Sequence, residues 1–379
     1  MAKSVAQISD CLVLGEHPAS YLAAALLRQA GDLNVLQVAP TGSSFADRLV
    51  MINPAFLELH PLLQKLRKKI DLSPLYGLTY LCDDGATRAE YHSKCIVAYV
   101  ASFRQLRDEI ADAARRCGVQ MVGKKEVSVY RLHENGIDLS LGKNQQQTRA
   151  LIIGDGVSAE LSKTLGFNGS GAPPVIHRFT FARLAPGCGP DLGSRPAAPI
   201  CLQLGNETCW AWLLTLGKWA QVAVNQPTDS LAARPPEHLL KKWIAILRQQ
   251  KFLPAGAEFP LEKIRSIDLS LAGALEHEGV GNRTLLIGPA GGFYAASTED
   301  IYPNCWSSLF AADALADALR QRHLQDALNT YRSSWRTTLG DYLRGPSVNL
   351  KYLLPLIYRN PVMTERISES LLMGKGVVR

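Results

Sequence analysis

Several features are missing from this 379-residue chain, and each absence removes a class of protein. No stretch reaches about 18 uninterrupted apolar residues, so nothing reads as a membrane-spanning helix. The eight cysteines include no Cys-x-x-Cys pair and no close His/Cys cluster, which excludes a structural zinc site. The opening "MAKSVAQISDCLVLG" lacks the long apolar core of a signal sequence and runs directly into a turn. Together with unpaired cysteines in a long chain, this sets the expectation of a cytoplasmic protein with reduced thiols. Internal repeats and low-complexity segments are also absent, which excludes repeat arrays.

The chain is 47% hydrophobic and 20% charged, enough for two substantial domains or one large α/β domain with an insertion. Its net charge is +7. The basic clusters (Lys65, Arg67, Lys68 and Lys69; Arg115 and Arg116; Lys124 and Lys125) are short and separated by apolar segments. Solvated helix faces account for them. A nucleic-acid surface would need a continuous stripe with stacking aromatics, so no nucleic acid is expected. Peripheral contact with anionic lipid is the weaker alternative.

"CLVLGEHPASYLAAALLRQAGDLNVLQVAP" contains a buried strand ending at Gly15, a helix with Pro18 in its first turn, and a second buried strand. A strand–helix–strand unit of this length begins a right-handed parallel sheet. Residues 45–75 read as helical and then loop-like. "LTYLCDD" and "HSKCIVAYV" read as strands joined by a turn at Asp83–Gly85. In "FRQLRDEIADAARRCGVQMV", Leu106, Ile110, Ala113 and Ala114 share one helical face, and Gly118 ends the helix. "EVSVYRL" and "GIDLSL" read as an antiparallel pair, and "RALIIGDG" as a strand entering a glycine turn.

From 171 to 275 proline and glycine become frequent, and "IHRFTFARL", "PICLQLG", "CWAWLLTL" and "WAQVAVNQ" read as strands. This is expected to be a mostly antiparallel sheet domain inserted in the α/β domain, with strands from 77–100 contributing. The α/β domain, 1–170, resumes over 276–330 with "RTLLIG" and a long helix. The tail, 331–379, reads as helices, with Asn360 capping one and Gly374 ending it.

Three glycine turns in this order resemble the FAD-dependent oxidoreductases of the aromatic-hydroxylase fold, and among them the geranylgeranyl reductase group. The resemblance covers nearly the whole chain in segment order and implies a Rossmann-like FAD/NAD(P)-binding fold. In that family the first turn is Gly-x-Gly-x-x-Gly: the first glycine makes the turn, the second lets the pyrophosphate approach, and the third packs helix on strand. Here Gly15, Pro18 and Ala19 match, while His17 and Ser20 replace the second and third glycines, and Glu16 adds negative charge. Both a cofactor cradle and a ligand-free tight turn are compatible with this stretch.

The acid that usually ends the second strand is replaced near Ala39, with Gln37 the nearest polar residue. The family's arginine at the next helix start corresponds to Arg104. Gly154, Asp155 and Gly156 match the second turn, where the resemblance implies an Asp155 contact to the ribose or ribityl side of FAD. The residue-level alternative is an Asx-type turn. The third turn is Gly288, Pro289, Ala290, Gly291, Gly292 and Phe293, where the family has Gly-Asp-Ala-Ala-Gly. Pro289 replaces the acid. The amides of Gly291, Gly292 and Phe293 are expected to face a flavin carbonyl. Glu299 and Ile301 match a later turn of the family.

Trp210, Trp212 and Trp219, with Tyr302, Asn304 and Cys305, are candidate linings for an apolar substrate cavity or simply core. The resemblance implies an enzyme in which reduced FAD delivers hydride to a double bond of an apolar, isoprenoid-like substrate. One alternative is a non-catalytic descendant with lost or weakened FAD binding, acting as a ligand carrier or partner protein. Another is a flavin monooxygenase of a small aromatic. No catalytic side chain is assigned.

Overall fold

The computed structural model describes the chain apart from residues 1–6, 42–45, 156–160, 162–163, 168–175, 186–189, 191, 206–208, 232–234, 277, 296–300, 322–323, 345–349 and 376–379. Gly156, Glu299 and Asp300 therefore lie outside the described residues.

The first sheet is built on β1 (Gln7–Leu14), β2 (Val35–Pro40), β8 (Gln120–Lys125), β11 (Asn144–Ile153) and β18 (Thr284–Leu286). These five run parallel in the order β18-β11-β1-β2-β8, and β17 (Val280–Gly281) adds an antiparallel edge. The long β11 pairs with β10 (Gly136–Leu141) through its first half and with β18 through its last three residues. β10 continues into the hairpin partner β9 (Val127–His133).

Alternation of side chains across these strands divides the core in two. Cys11, Val13, Ala150 and Ile152 face one side, where they meet α1 (Pro18–Gln29) and the long helix Ile301–Arg320. Leu12, Leu14, Leu151 and Ile153 face the other, against Ile137, Leu139 and Leu141 of the hairpin. Strands buried on both faces are near-continuously apolar, which is why they were legible as buried runs.

The second sheet has seven strands in the order β16-β12-β15-β14-β13-β5-β6. These are β16 (Arg265–Ser270), β12 (Ile176–Arg183), β15 (Trp219–Pro227), β14 (Trp210–Leu216), β13 (Ala197–Cys201), β5 (Gly77–Leu81) and β6 (Arg88–His92). All neighbours are antiparallel except β13 and β5. Helix Pro236–Gln249 covers one face through Leu240, Trp243 and Leu247.

Two local expectations change. Within 45–75 the chain forms β3 (Leu49–Ile52) and β4 (Ser73–Leu75), which flank β7 (Ala98–Ser102) in a small antiparallel sheet. A four-residue apolar run carries too little period to separate strand from helix. "HSKCIVAYV" is not one strand: β6 ends at His92, and β7 starts at Ala98. The helix Phe103–Arg116 stops just before Gly118, as expected, and Gln120–Lys125 beyond it forms β8, a polar edge strand. The C-terminal helices are Leu324–Arg344, Leu350–Ile357 and Pro361–Met373. Asn360 caps the last by accepting from the amides of Val362 and Met363, and Gly374 ends it in the left-handed conformation at φ 68°. Among the described residues, no helix is long and apolar enough to cross a membrane.

Candidate functional site

The register of the first sheet brings the three glycine turns to one edge. Leu14 lies beside Val38 of β2 and Ile153 of β11, and Ile153 lies beside Leu286 of β18. The turns after β1, β11 and β18 thus emerge together at the carboxyl ends of parallel strands, where open α/β sheets bind ligands. They are hydrogen-bonded to one another: Gly154 N donates to Leu14 O at 2.8 Å, and Ala290 N donates to Gly154 O at 2.8 Å.

Glycine is required at the first turn. Gly15 has φ 135°, and a Cβ there would sit 2.4 Å from both Asp155 Oδ2 and Ser20 Oγ. A Cβ on Gly154 would meet Ser20 Oγ at 2.1 Å. Ser20, in place of the third family glycine, thus fits because two glycines on the adjoining strands leave it room.

Following the amides from Glu16 to Ser20 shows what the start of α1 holds. The N–H groups of Glu16 and His17 both donate to Asp155 Oδ2, each at 2.7 Å. Pro18 has no N–H. Ala19 N donates to His17 Nδ1 at 3.1 Å, and Ser20 N donates to His17 O at 2.9 Å. Every donor in the turn and first helical positions is therefore absent or engaged by the protein itself. These are the orphan groups that give a helix N-terminus its affinity for anions. The Asp155 carboxylate, 5% exposed, and the His17 imidazole, 0% exposed, take that role.

The third turn behaves alike. Gly288, at φ 54°, donates its N–H to Ser307 Oγ at 3.0 Å. Pro289 again has none. The amides expected to face a flavin carbonyl donate inward: Gly291 to Ile287 O, Gly292 to Pro289 O and Phe293 to Gly288 O, at 3.0, 3.1 and 3.2 Å. The Phe293 ring is buried edge-on against Trp335.

Two side chains resolve ambiguities left by the sequence. Gln37 is buried and donates through Nε2 to Gly15 O, bracing the turn from β2. The Arg104 side chain is 63% exposed and pairs with Asp47 at 3.6 Å. The buried arginine of this region is Arg48, whose guanidinium lies 3.9 Å from the centre of the Phe103 ring. The same ring packs against His17 with centroids 5.5 Å apart. Burial, and secondly the positive charge of Arg48, hold the His17 pKa well below the usual histidine range. The neutral ring can accept from Ala19 N through Nδ1, as the cap requires. Sequence reading missed Arg48 because β3, which it precedes, was itself unrecognised.

An apolar cavity of about 50 Å³ lies between the small sheet and the seven-stranded sheet. Met51, Phe179, Trp212, Ile267 and Leu371 line it, with Arg48 the charged residue of the lining. Phe179 stacks on Trp212 at 5.0 Å and 8°. Trp210 joins this lining, whereas Trp219 receives the Arg183 guanidinium at 4.6 Å. Tyr302 packs on Tyr342, and Asn304 and Cys305 are buried. Burial pushes the Cys201 thiol up to about 12, so it is a packing group rather than a nucleophile. Among the described residues, no cluster of His, Cys, Asp and Glu could hold a metal ion.

No family model matches the chain, and no curated protein does. Solved structures do. A geranylgeranyl bacteriochlorophyll reductase-like protein from Thermoplasma acidophilum superposes with a TM-score of 0.72 at 14% identity, over 97% of this chain and 89% of its own. The flavin-dependent brominase Bmp2 gives 0.71 at 16% identity, over 97% and 94%. A flavoprotein/dehydrogenase from Cytophaga hutchinsonii gives 0.70 at 16% identity, over 97% and 93%. The chain has the Rossmann-like fold of FAD-dependent oxidoreductases, including the geranylgeranyl reductase-like group, from end to end.

That fold implies FAD at the edge where the three turns meet. The residues there do not fit its pyrophosphate as they stand. The helix-start donors are engaged, an imidazole occupies the position of the second glycine, and the Glu16 carboxylate lies beside the turn, 3.7 Å from Lys124 Nζ.

Proposed function

We propose that this chain is a non-catalytic member of the FAD-dependent oxidoreductase fold, with FAD binding weakened or lost, that serves as a carrier or partner protein for an apolar ligand. The observation that carries this reading is the self-capped start of α1, where Asp155 and His17 hold the amides of Glu16, His17 and Ala19. Small-molecule pockets commonly span about 300–1,000 Å³. The cavity of about 50 Å³ would admit a small apolar group as it stands, and a longer chain by displacement of Met51 and Trp212 from its lining.

A second reading is a FAD-dependent oxidoreductase that reduces double bonds of an apolar, isoprenoid-like substrate. It is supported by the full-length match to a reductase-like fold and by an apolar cavity beside the small sheet. In that case FAD would supply hydride. Asp155 and His17 would first have to release the helix start, and Trp212 and Phe179 would exclude water from the substrate.

Purification separates the two. A colourless protein that leaves the fluorescence of added FAD unquenched supports the first reading. A yellow preparation releasing one FAD per chain on denaturation supports the second and refutes the first.

A further inference from the structure

Three features define the closed turn, and they are not equivalent. Asp155 accepts from the amides of Glu16 and His17, which lie before the helix. Ser20 fills room left by Gly15 and Gly154. Asp155 Oδ2 also meets the Ser20 hydroxyl at 3.5 Å, but among the described residues it is the His17 side chain whose Nδ1 takes a backbone N–H of α1's first turn, that of Ala19. With Pro18 lacking a donor and Ser20 N bonded to His17 O, Ala19 N is the donor that an incoming phosphate would need. The imidazole is also fully enclosed, packed on Phe103.

We infer that His17 is the residue that excludes the dinucleotide: its side chain is a built-in occupant of the phosphate position, taking the Ala19 N–H, while Gly15, Gly154 and Gly288 still hold the three turns close around it. This deepens the reading proposed above and rests on it. The backbone supports it, since His17 sits at φ −68°, which glycine and alanine both adopt without strain. Gly15, Gly154 and Gly288 retain the close approach of the three turns. Specificity here lies in one repulsive element placed where the ligand would go.

The test compares FAD binding by wild type, His17→Gly, His17→Ala and His17→Asn, read by quenching of flavin fluorescence and by the shift of melting temperature with added FAD. Asparagine keeps an N-cap acceptor, so it should stay closed. Removing a competing hydrogen bond of about 1 kcal/mol should tighten FAD binding by about fivefold in the glycine variant relative to wild type and to the asparagine variant. The alanine variant should gain in the same direction, and it carries the comparison if the glycine variant does not fold. A folded glycine or alanine variant that binds FAD no better than His17→Asn overturns this inference and leaves the proposed function standing. Stoichiometric FAD in the wild type overturns both.

Discussion

Replacing Asp155 by alanine tests whether this carboxylate is an internal cap or a cofactor ligand. In the structure, Oδ2 receives two backbone N–H bonds at 2.7 Å from the turn that opens α1, and the group is 5% exposed. A hydrogen bond to a charged group contributes about 1.5–3 kcal/mol, and a carboxylate near a helix N-terminus adds about 0.3–1 kcal/mol. The two contributions overlap in one group, so a loss of about 3–4 kcal/mol is expected for Asp155→Ala, against typical total stabilities of about 5–15 kcal/mol. For a chain of 379 residues the unfolding entropy is about 0.8 kcal/mol/K, so the melting temperature should fall by about 4–5 °C. Asp155→Asn keeps a carbonyl acceptor without the charge and should lose about half as much. Calorimetry on the purified proteins, with no flavin added, provides the measurement. An alanine variant melting within about 1 °C of wild type would refute the reasoning, because a cap contributing so little could not hold two buried amides.

Two further outcomes follow from the same site. His17 is neutral when folded, with a pKa well below the 6.5 of the exposed ring, so the unfolded chain binds more protons in the window between the two values. Its contribution to stability should be fully present above pH 6.5 and fall away as the pH drops below it; urea melts of His17→Asn should show a shallower acid loss than wild type, and equal slopes would contradict the assignment. Gly154→Ala places a Cβ 2.1 Å from Ser20 Oγ and should cost about 1–3 kcal/mol by overpacking. The same change in a Ser20→Ala background should cost measurably less, and additive losses in chemical denaturation would show that the two positions do not meet.

Much of the fold is legible in the sequence, for a specific reason. Strands buried on both faces, such as "CLVL" and "ALII", are continuous apolar runs, and glycine or proline marks their ends. The helix Phe103–Arg116 declares itself by a one-sided apolar face that the structure buries at Leu106, Ile110 and Ala114. What escaped is short or polar. Leu49–Ile52 becomes a strand only because β7 lies beside it, and Gln120–Lys125 only because β2 offers a parallel partner. These are decisions of long-range pairing, which no local period records.

The site divides along the same line. Sequence alone determined which backbone features converge: glycine turns after three buried strands, a proline at a helix start, and an aspartate between two glycines. It also showed that the second glycine and the third-turn acid were gone. Tertiary structure alone decided what fills their place. The direction of the His17 ring, the meeting of Asp155 with amides 139 and 138 residues away, the exposure of Arg104 and the burial of Arg48 are consequences of strand register. The physical reason is that a hydrogen-bond donor has no fixed partner in sequence. Whether an amide awaits a phosphate or already holds a carboxylate is settled only when the strands align and bring one group within reach of the other.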